Sequence, residues 1–175
     1  KESSAASDVY KRQTILGIDP GLATMGWGAI HYDSVKPRLL DYGALTTPAD
    51  MPMPQRLLAL FEGVEDLCRR FDPDDIAMEE LFFCKNVTTA IAVGEARGAA
   101  IVAMRKHTNN LFEYTPMQIK QAVTGYGKAD KRQVQQMVKL LLNLPEIPRP
   151  DDAADGLAIA ITHAHSMRMR QNYRI

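Results

Sequence analysis

Ile15-Leu-Gly-Ile-Asp19-Pro-Gly21 is a short apolar run that ends in a carboxylate and is stopped at once by two turn residues. Apolar residues over so few positions, bounded by Pro and Gly, suit a buried strand better than a helix. An Asp at the end of such a strand has given up much of its water and needs compensation, from a metal ion or a basic partner. The alternative is an Asp that only caps the turn before Pro20-Gly21. Three more carboxylates in similarly apolar surroundings, further along the chain, favour the first reading.

Working outward, Met25 to Tyr32 and Arg38 to Thr46 read as second and third strands, with Val35-Lys-Pro37 as the turn between them. Three strands joined by short turns make an antiparallel meander. After Met51-Pro-Met-Pro54, Leu57, Phe61, Val64, Cys68 and Phe71 recur at helical spacing and stop at Asp72-Pro73. Cys68 lies on that apolar stripe and reads as a structural thiol. Asp75-Ile-Ala-Met-Glu79-Glu80 gives a fourth strand, again ending in carboxylate. A long helix over Val87 to His107 contains Gly94-Glu-Ala-Arg-Gly98, whose small residues let another backbone approach, either the chain's own sheet or a second subunit. Leu111 to Thr115 is a fifth strand, Pro116 suits a first helical turn, and Thr124-Gly-Tyr-Gly-Lys128 links to a helix carrying Val134, Met137, Val138, Leu141 and Leu142. A last helix begins near Asp151, with Leu157, Ala160, Ile161 and Ala164 on its apolar face. The fold class is therefore α/β, a five-stranded mixed sheet flanked by helices.

The 175 residues, 46% hydrophobic and 24% charged, have the composition of an ordinary globular protein with one sizeable core. No apolar run approaches the roughly 18 residues of a membrane helix, which leaves no membrane role. The polar segment 1–13 reads as a disordered leader or a remnant of expression, 14–170 as a single domain and 171–175 as a tail. Two cysteines make no disulfide framework, which points to a reducing, cytoplasmic setting. A formal net charge of zero is unlike a strongly basic nucleic-acid binder. It conceals a basic run through Lys120, Lys128, Lys131, Arg132 and Lys139.

Asp19 and Glu79 end two buried strands. Asp152 and Asp155, three apart, project from one face of a helix start, and Asp151 with Asp155, four apart, fits equally well. Asp is favoured at helix N-termini for capping alone. Asp155, however, sits inside Ala153-Ala-Asp-Gly-Leu-Ala-Ile159, where an Asp without a cation is costly. Oxygen donors without Cys or His partners suit a hard cation such as Mg²⁺ or Mn²⁺. Two such ions about 3.5–4 Å apart support phosphodiester hydrolysis. His163 and His165, two apart on a helix, point to different faces and read as solvated side chains.

The four motifs Ile-Leu-Gly-Ile-Asp19-Pro-Gly, Ile76-Ala-Met-Glu79-Glu-Leu-Phe82, Gly94-Glu-Ala-Arg-Gly98 and Asp152-Ala-Ala-Asp155-Gly-Leu-Ala-Ile closely resemble the bacterial RuvC Holliday-junction resolvase family over about residues 14–166. The resemblance implies a ribonuclease H-like fold. It also implies a homodimer that nicks two opposed strands of a four-way DNA junction, leaving 5′-phosphate and 3′-hydroxyl ends. By position, Asp19, Glu79, Asp152 and Asp155 match the catalytic, metal-binding set, which favours Asp152 over Asp151. The cofactor implied is two Mg²⁺ per active site, with Mn²⁺ able to replace it. Glu80 falls on the other side of its strand. Lys120 and Lys131 match phosphate contacts, and Phe82 matches an aromatic wedge at the crossover, with Phe83 as its assistant and Lys85 beside them on the DNA-binding side. A complex with the branch-migration proteins RuvA and RuvB is likewise implied by resemblance.

In the chain's own terms, Phe82-Phe-Cys-Lys-Asn86 follows a strand-end carboxylate and precedes a helix, so it reads as a loop. Adjacent loop aromatics either pack inward or stack on unpaired bases. Competing readings are a YqgF-like RNA-processing nuclease on the same fold, a junction-binding protein without catalysis, and half of an actin-like kinase, which the length disfavours.

Overall fold

The structure, a computed structural model, describes residues 12–81 and 87–175. The first three strands, β1 (Gln13–Asp19), β2 (Thr24–Tyr32) and β3 (Pro37–Thr46), form the antiparallel meander that their spacing predicts. Helix α1 (Met53–Phe71) follows, then β4 (Asp75–Glu79), α2 (Val87–His107), β5 (Leu111–Tyr114), α3 (Pro116–Thr124), α4 (Lys131–Leu141) and α5 (Asp151–Ser166). Strands β4 and β5 add in parallel beside β1, giving one five-stranded mixed sheet in the order β3-β2-β1-β4-β5.

Strand alternation separates two cores. Leu16, Ile18, Ile76 and Met78 point to the face covered by α1 and α2, where they meet Leu60, Val64, Cys68, Ala100 and Met104. Ile15 and Ala77 point the other way, into a cluster with α3, α4 and α5. Asp19 and Glu79 share the parity of Ile15 and Ala77, so both carboxylates fall on the α5 side. Glu80, one residue on, is exposed.

Helix α5 lies so close to the sheet that it is buried along most of its length, from Ala153 to Ala164 apart from Asp155. Glycines on both sides permit this approach: Gly17, Gly26 and Gly28 in the sheet and Gly156 in the helix. A Cβ at Gly26 of β2 would collide with the backbone carbonyl of Asp152, with the Asp152 Cα 3.0 Å away. A Cβ at Gly156 would lie 2.6 Å from the Trp27 Cα. The first turn of α5 is thereby lowered onto the carboxyl end of β1 and the amino end of β2, where Asp19 pairs with Gly26.

Two readings from sequence need correction. His163 is not solvated: it is fully buried on the sheet-facing side of α5, with its Nε2 2.9 Å from Asp75 Oδ2 and its Nδ1 2.8 Å from the Tyr114 hydroxyl. His165, on the other face, is exposed as expected. The second correction concerns α2, whose 21 residues are long and apolar enough to match a membrane helix by length and composition. In the fold it packs on α1 through Ala96, Ala100, Ala103 and Met104, and its Arg97 pairs with Glu113 of β5. Residues 171–175, read above as a tail, run into the sheet edge: a 3₁₀ turn over Met167–Tyr173 leads to a bridge between Arg174 and Phe112.

Candidate active site

Asp19 and Glu79 end adjacent parallel strands, in a register that sets Ile18 beside Met78. The two carboxyls are hydrogen-bonded to each other. Above them stands the first turn of α5. Carboxylate oxygens of Asp19, Asp152 and Asp155 all lie within 4.8 Å of one another. Asp151 instead forms an ion pair with Arg149, so the structure separates two neighbours that spacing alone could not.

Four acids in so small a volume cannot all ionise without a counter-charge. Burial, and then the charges of Glu79 and Asp155, push the Asp19 carboxyl from its ordinary 3.8 up to about 8. Burial also raises Glu79, although its hydrogen bond from Asp19 and the charges of Lys120 and Lys131 pull it back. Asp155 is raised by burial too, against the hydrogen bond that Lys131 donates to it. Oxygen-only donors whose repulsion is relieved by a cation suit a divalent ion of the Mg²⁺ or Mn²⁺ type. The residues present fit such an ion.

Two lysines face the acids. Lys131 Nζ is 2.9 Å from Asp155 Oδ2. Burial would depress this ammonium, but the hydrogen bond and charge of Asp155 raise it instead. Lys131 is the first residue of α4, where the helix dipole disfavours a cation. Its position there answers to the acids rather than to its own helix. The helix start is secured by a capping box, with the Asp130 side chain accepting from the Gln133 N–H and the Gln133 side chain accepting from the Asp130 N–H. Lys120 projects from α3, whose own capping box pairs Thr115 with Gln118. Glu79, Lys120, Lys131 and Asp155 together line a cavity of about 210 Å³, walled by Ile119, Val134 and Ala158.

The structure therefore brings together six of the residues singled out from sequence: Asp19, Glu79, Asp152, Asp155, Lys120 and Lys131. Phe82, Phe83 and Lys85 lie outside the described residues. Sequence reasoning missed the direct Lys131–Asp155 pair, whose signal was a lysine at a helix start behind a D-x-x-Q capping box. It also missed the buried Asp75–His163–Tyr114 chain, which no spacing rule connects across 88 residues. Cys68 is buried as expected, and burial followed by the Glu65 charge pushes its thiol up to about 12, far from a reactive thiolate.

A family model described as crossover junction endodeoxyribonuclease RuvC matches residues 15–163. The chain is similar to the crossover junction endodeoxyribonuclease RuvC of Rubrobacter xylanophilus, with 60% identity over 158 residues, covering 90% of this chain and 88% of that protein. Among solved structures it is similar to Thermus thermophilus RuvC, at 38% identity and a TM-score of 0.83, covering 92% of this chain and 98% of that one. The same protein in complex with a Holliday junction substrate aligns with a TM-score of 0.81 at 38% identity, covering 90% and 96%.

Proposed function

The chain belongs to the RuvC family of crossover junction endodeoxyribonucleases, and on that premise we propose that it resolves four-way DNA junctions by metal-dependent hydrolysis of two opposed phosphodiesters. The observation that carries this reading is the cluster of Asp19, Asp152 and Asp155, completed by Glu79 and faced by two lysines. A hydrolase acting on a phosphodiester must bind an anion and tolerate further negative charge as water adds. An acid cluster alone would repel that substrate; one flanked by Lys120 and Lys131 accepts it.

The four carboxylates hold divalent cations, with Mg²⁺ the proposed physiological ion and Mn²⁺ a replacement. When bound, such ions activate water and stabilise the departing oxygen. The chain's own residues do the rest. Asp19 and Glu79 are fixed by neighbouring strands, so their separation does not drift. Asp152 and Asp155 ride on a helix clamped to the sheet. Lys131 leaves Asp155 for a phosphate oxygen as the acids acquire another counter-charge, and Lys120 holds the same strand from α3. In-line attack by water opens the bond to the 3′-oxygen, leaving 5′-phosphate and 3′-hydroxyl ends. Phe82, Phe83 and Lys85 are assigned to the crossover bases by position in the sequence.

A symmetric junction needs two equivalent sites, which a two-fold dimer provides. Helix α2 offers the surface. Val87, Ile91 and Val102, all more than half exposed, fall with Gly94 and Gly98 along one stripe of the helix. A Cβ at Gly98 would meet nothing within 4 Å, so its bare backbone faces outward rather than toward the sheet. We assign this stripe to a second copy of the chain. A branch-migration complex with RuvA and RuvB and a cytoplasmic setting complete the proposal.

The test is cleavage of a synthetic four-way junction beside linear duplex and RNA. Paired nicks on the junction alone, dependent on Mg²⁺ or Mn²⁺, support the reading. Cleavage of RNA in preference would keep the metal site and discard the substrate.

A further inference from the structure

A second surface adjoins the catalytic cavity. Thr124, Tyr126, Arg132, Gln133 and Met137 line a mostly apolar cleft of about 440 Å³ on the other side of α4 from Val134 and Lys131. Tyr126 is 57% exposed, yet the loop that carries it is tightly held. Gly125 closes α3 at φ 77°, in the left-handed region that favours glycine. Its carbonyl accepts from Gln121 Nε2 at 2.8 Å. The Thr124 hydroxyl donates to the Lys120 carbonyl at 2.8 Å and accepts from the Tyr126 N–H at 3.1 Å. The Tyr126 carbonyl accepts from the Ala129 N–H at 3.0 Å. An aromatic ring left in water on a loop fixed by so many bonds is held ready for a flat partner.

Arg132 and Asp130 both line the cleft, and Lys128 stands on the loop between Tyr126 and Asp130. Lys128 and Arg132 are exposed and form no ion pair with any described residue. The Asp130 carboxylate at the same place accepts from the Gln133 N–H within its capping box. The surface is also continuous with the site, because Lys120 starts the hydrogen-bonded chain that ends at Tyr126, and Lys131 precedes Arg132. An apolar floor, a free ring and two cations suit a nucleotide: base on ring, phosphate on cation.

We infer that the DNA strand whose phosphate lies at Lys120 and Lys131 continues over α4, stacks a base on Tyr126 and sets its flanking phosphates on Lys128 and Arg132. The inference rests on the nuclease reading for the direction of the strand, but not for the existence of the contact.

The experiment measures binding of the full chain, in chelator so that nothing is cut, to a four-way junction, a linear duplex and a single strand of the same sequence. Tyr126→Ala should weaken junction binding about 5- to 160-fold, the range that loss of one stacked base spans. Its melting temperature should not move, because the side chain is exposed. Tyr126→Phe keeps the ring and should bind like the native chain. A Lys128→Ala/Arg132→Ala double variant should lower the slope of log affinity against log salt by about 2, roughly one for each phosphate released. If Tyr126→Ala binds all three DNAs like the native chain, the inference is overturned. If it loses affinity because the dimer dissociates in sedimentation, the cleft is a protein contact and the inference is likewise overturned. Should the native chain show no preference for the junction while Tyr126→Ala weakens duplex or single-strand binding, the contact stands and the junction reading falls.

Discussion

Asp19→Asn should make the protein more stable while removing its activity, provided that metal is withheld. In the metal-free fold the Asp19 carboxyl is pushed from 3.8 to about 8 by burial and by Glu79 and Asp155. Between those values the unfolded chain has released the proton and the folded chain still holds it, so stability falls as pH rises. Each pH unit costs about 1.4 kcal/mol, and the interval up to pH 7 about 4 kcal/mol in all. Asparagine has no proton to lose, and its amide can donate to Glu79. In chelator the variant should therefore match the native chain near pH 4 and exceed it by about 4 kcal/mol at pH 7. For a chain of this length that corresponds to roughly 10 °C in melting temperature. Urea unfolding followed by circular dichroism, at several pH values, reads the difference. Mg²⁺ at a hundred times its dissociation constant should narrow the gap to about 1 kcal/mol, since a bound ion adds about 2.7 kcal/mol to the native fold. A metal-free variant no more stable than the native protein at pH 7 would refute the claim that these acids repel one another.

Gly26→Ala places a methyl group against the Asp152 carbonyl. It should lift α5, cost about 1–3 kcal/mol by overpacking and slow junction cleavage about 100-fold or more, in line with a displacement near 1 Å; single-turnover kinetics would report it. His163→Ala takes from the fully buried Asp75 its imidazole partner and from Phe112 a ring at 4.4 Å. Denaturation should show a loss of about 3 kcal/mol. Ile91→Asp, in the middle of the exposed α2 stripe, should turn a dimer into a monomer in sedimentation equilibrium without lowering the melting temperature of the monomer.

Much of this site could be read from the sequence because its carboxylates stand where local rules fail. Asp19 and Glu79 end apolar strands, and Asp155 interrupts an alanine-rich helix; each is an expensive residue in a place that does not need one. The strands themselves were legible from alternation and turn residues, α3 from Pro116 at its first turn, and α4 from the apolar spacing of Val134, Met137, Val138 and Leu141. What could not be read depends on contacts between distant segments. Asp151 and Asp152 have equal claims by helical spacing, and only the clamp of Gly26 and Gly156 decides which faces Asp19. His163 looked solvated because polarity was its only local signal, while the partners that permit its burial, Asp75 and Tyr114, lie in two other strands. The same holds for α2, whose hydropathy reports an apolar helix without saying which side is packed and which is exposed.

The central claim is that the Asp19–Asp152–Asp155 cluster holds the cations that hydrolyse a junction. Asp155→Asn tests it most directly, since the change keeps the shape of the side chain and removes one charged ligand. The measurement is binding and cleavage of one migratable four-way junction by the native and variant chains across a Mn²⁺ titration. The account predicts paired nicks from the native chain, and from the variant full junction binding with no nicks at any metal concentration. Nicking by the variant at the native rate would contradict it.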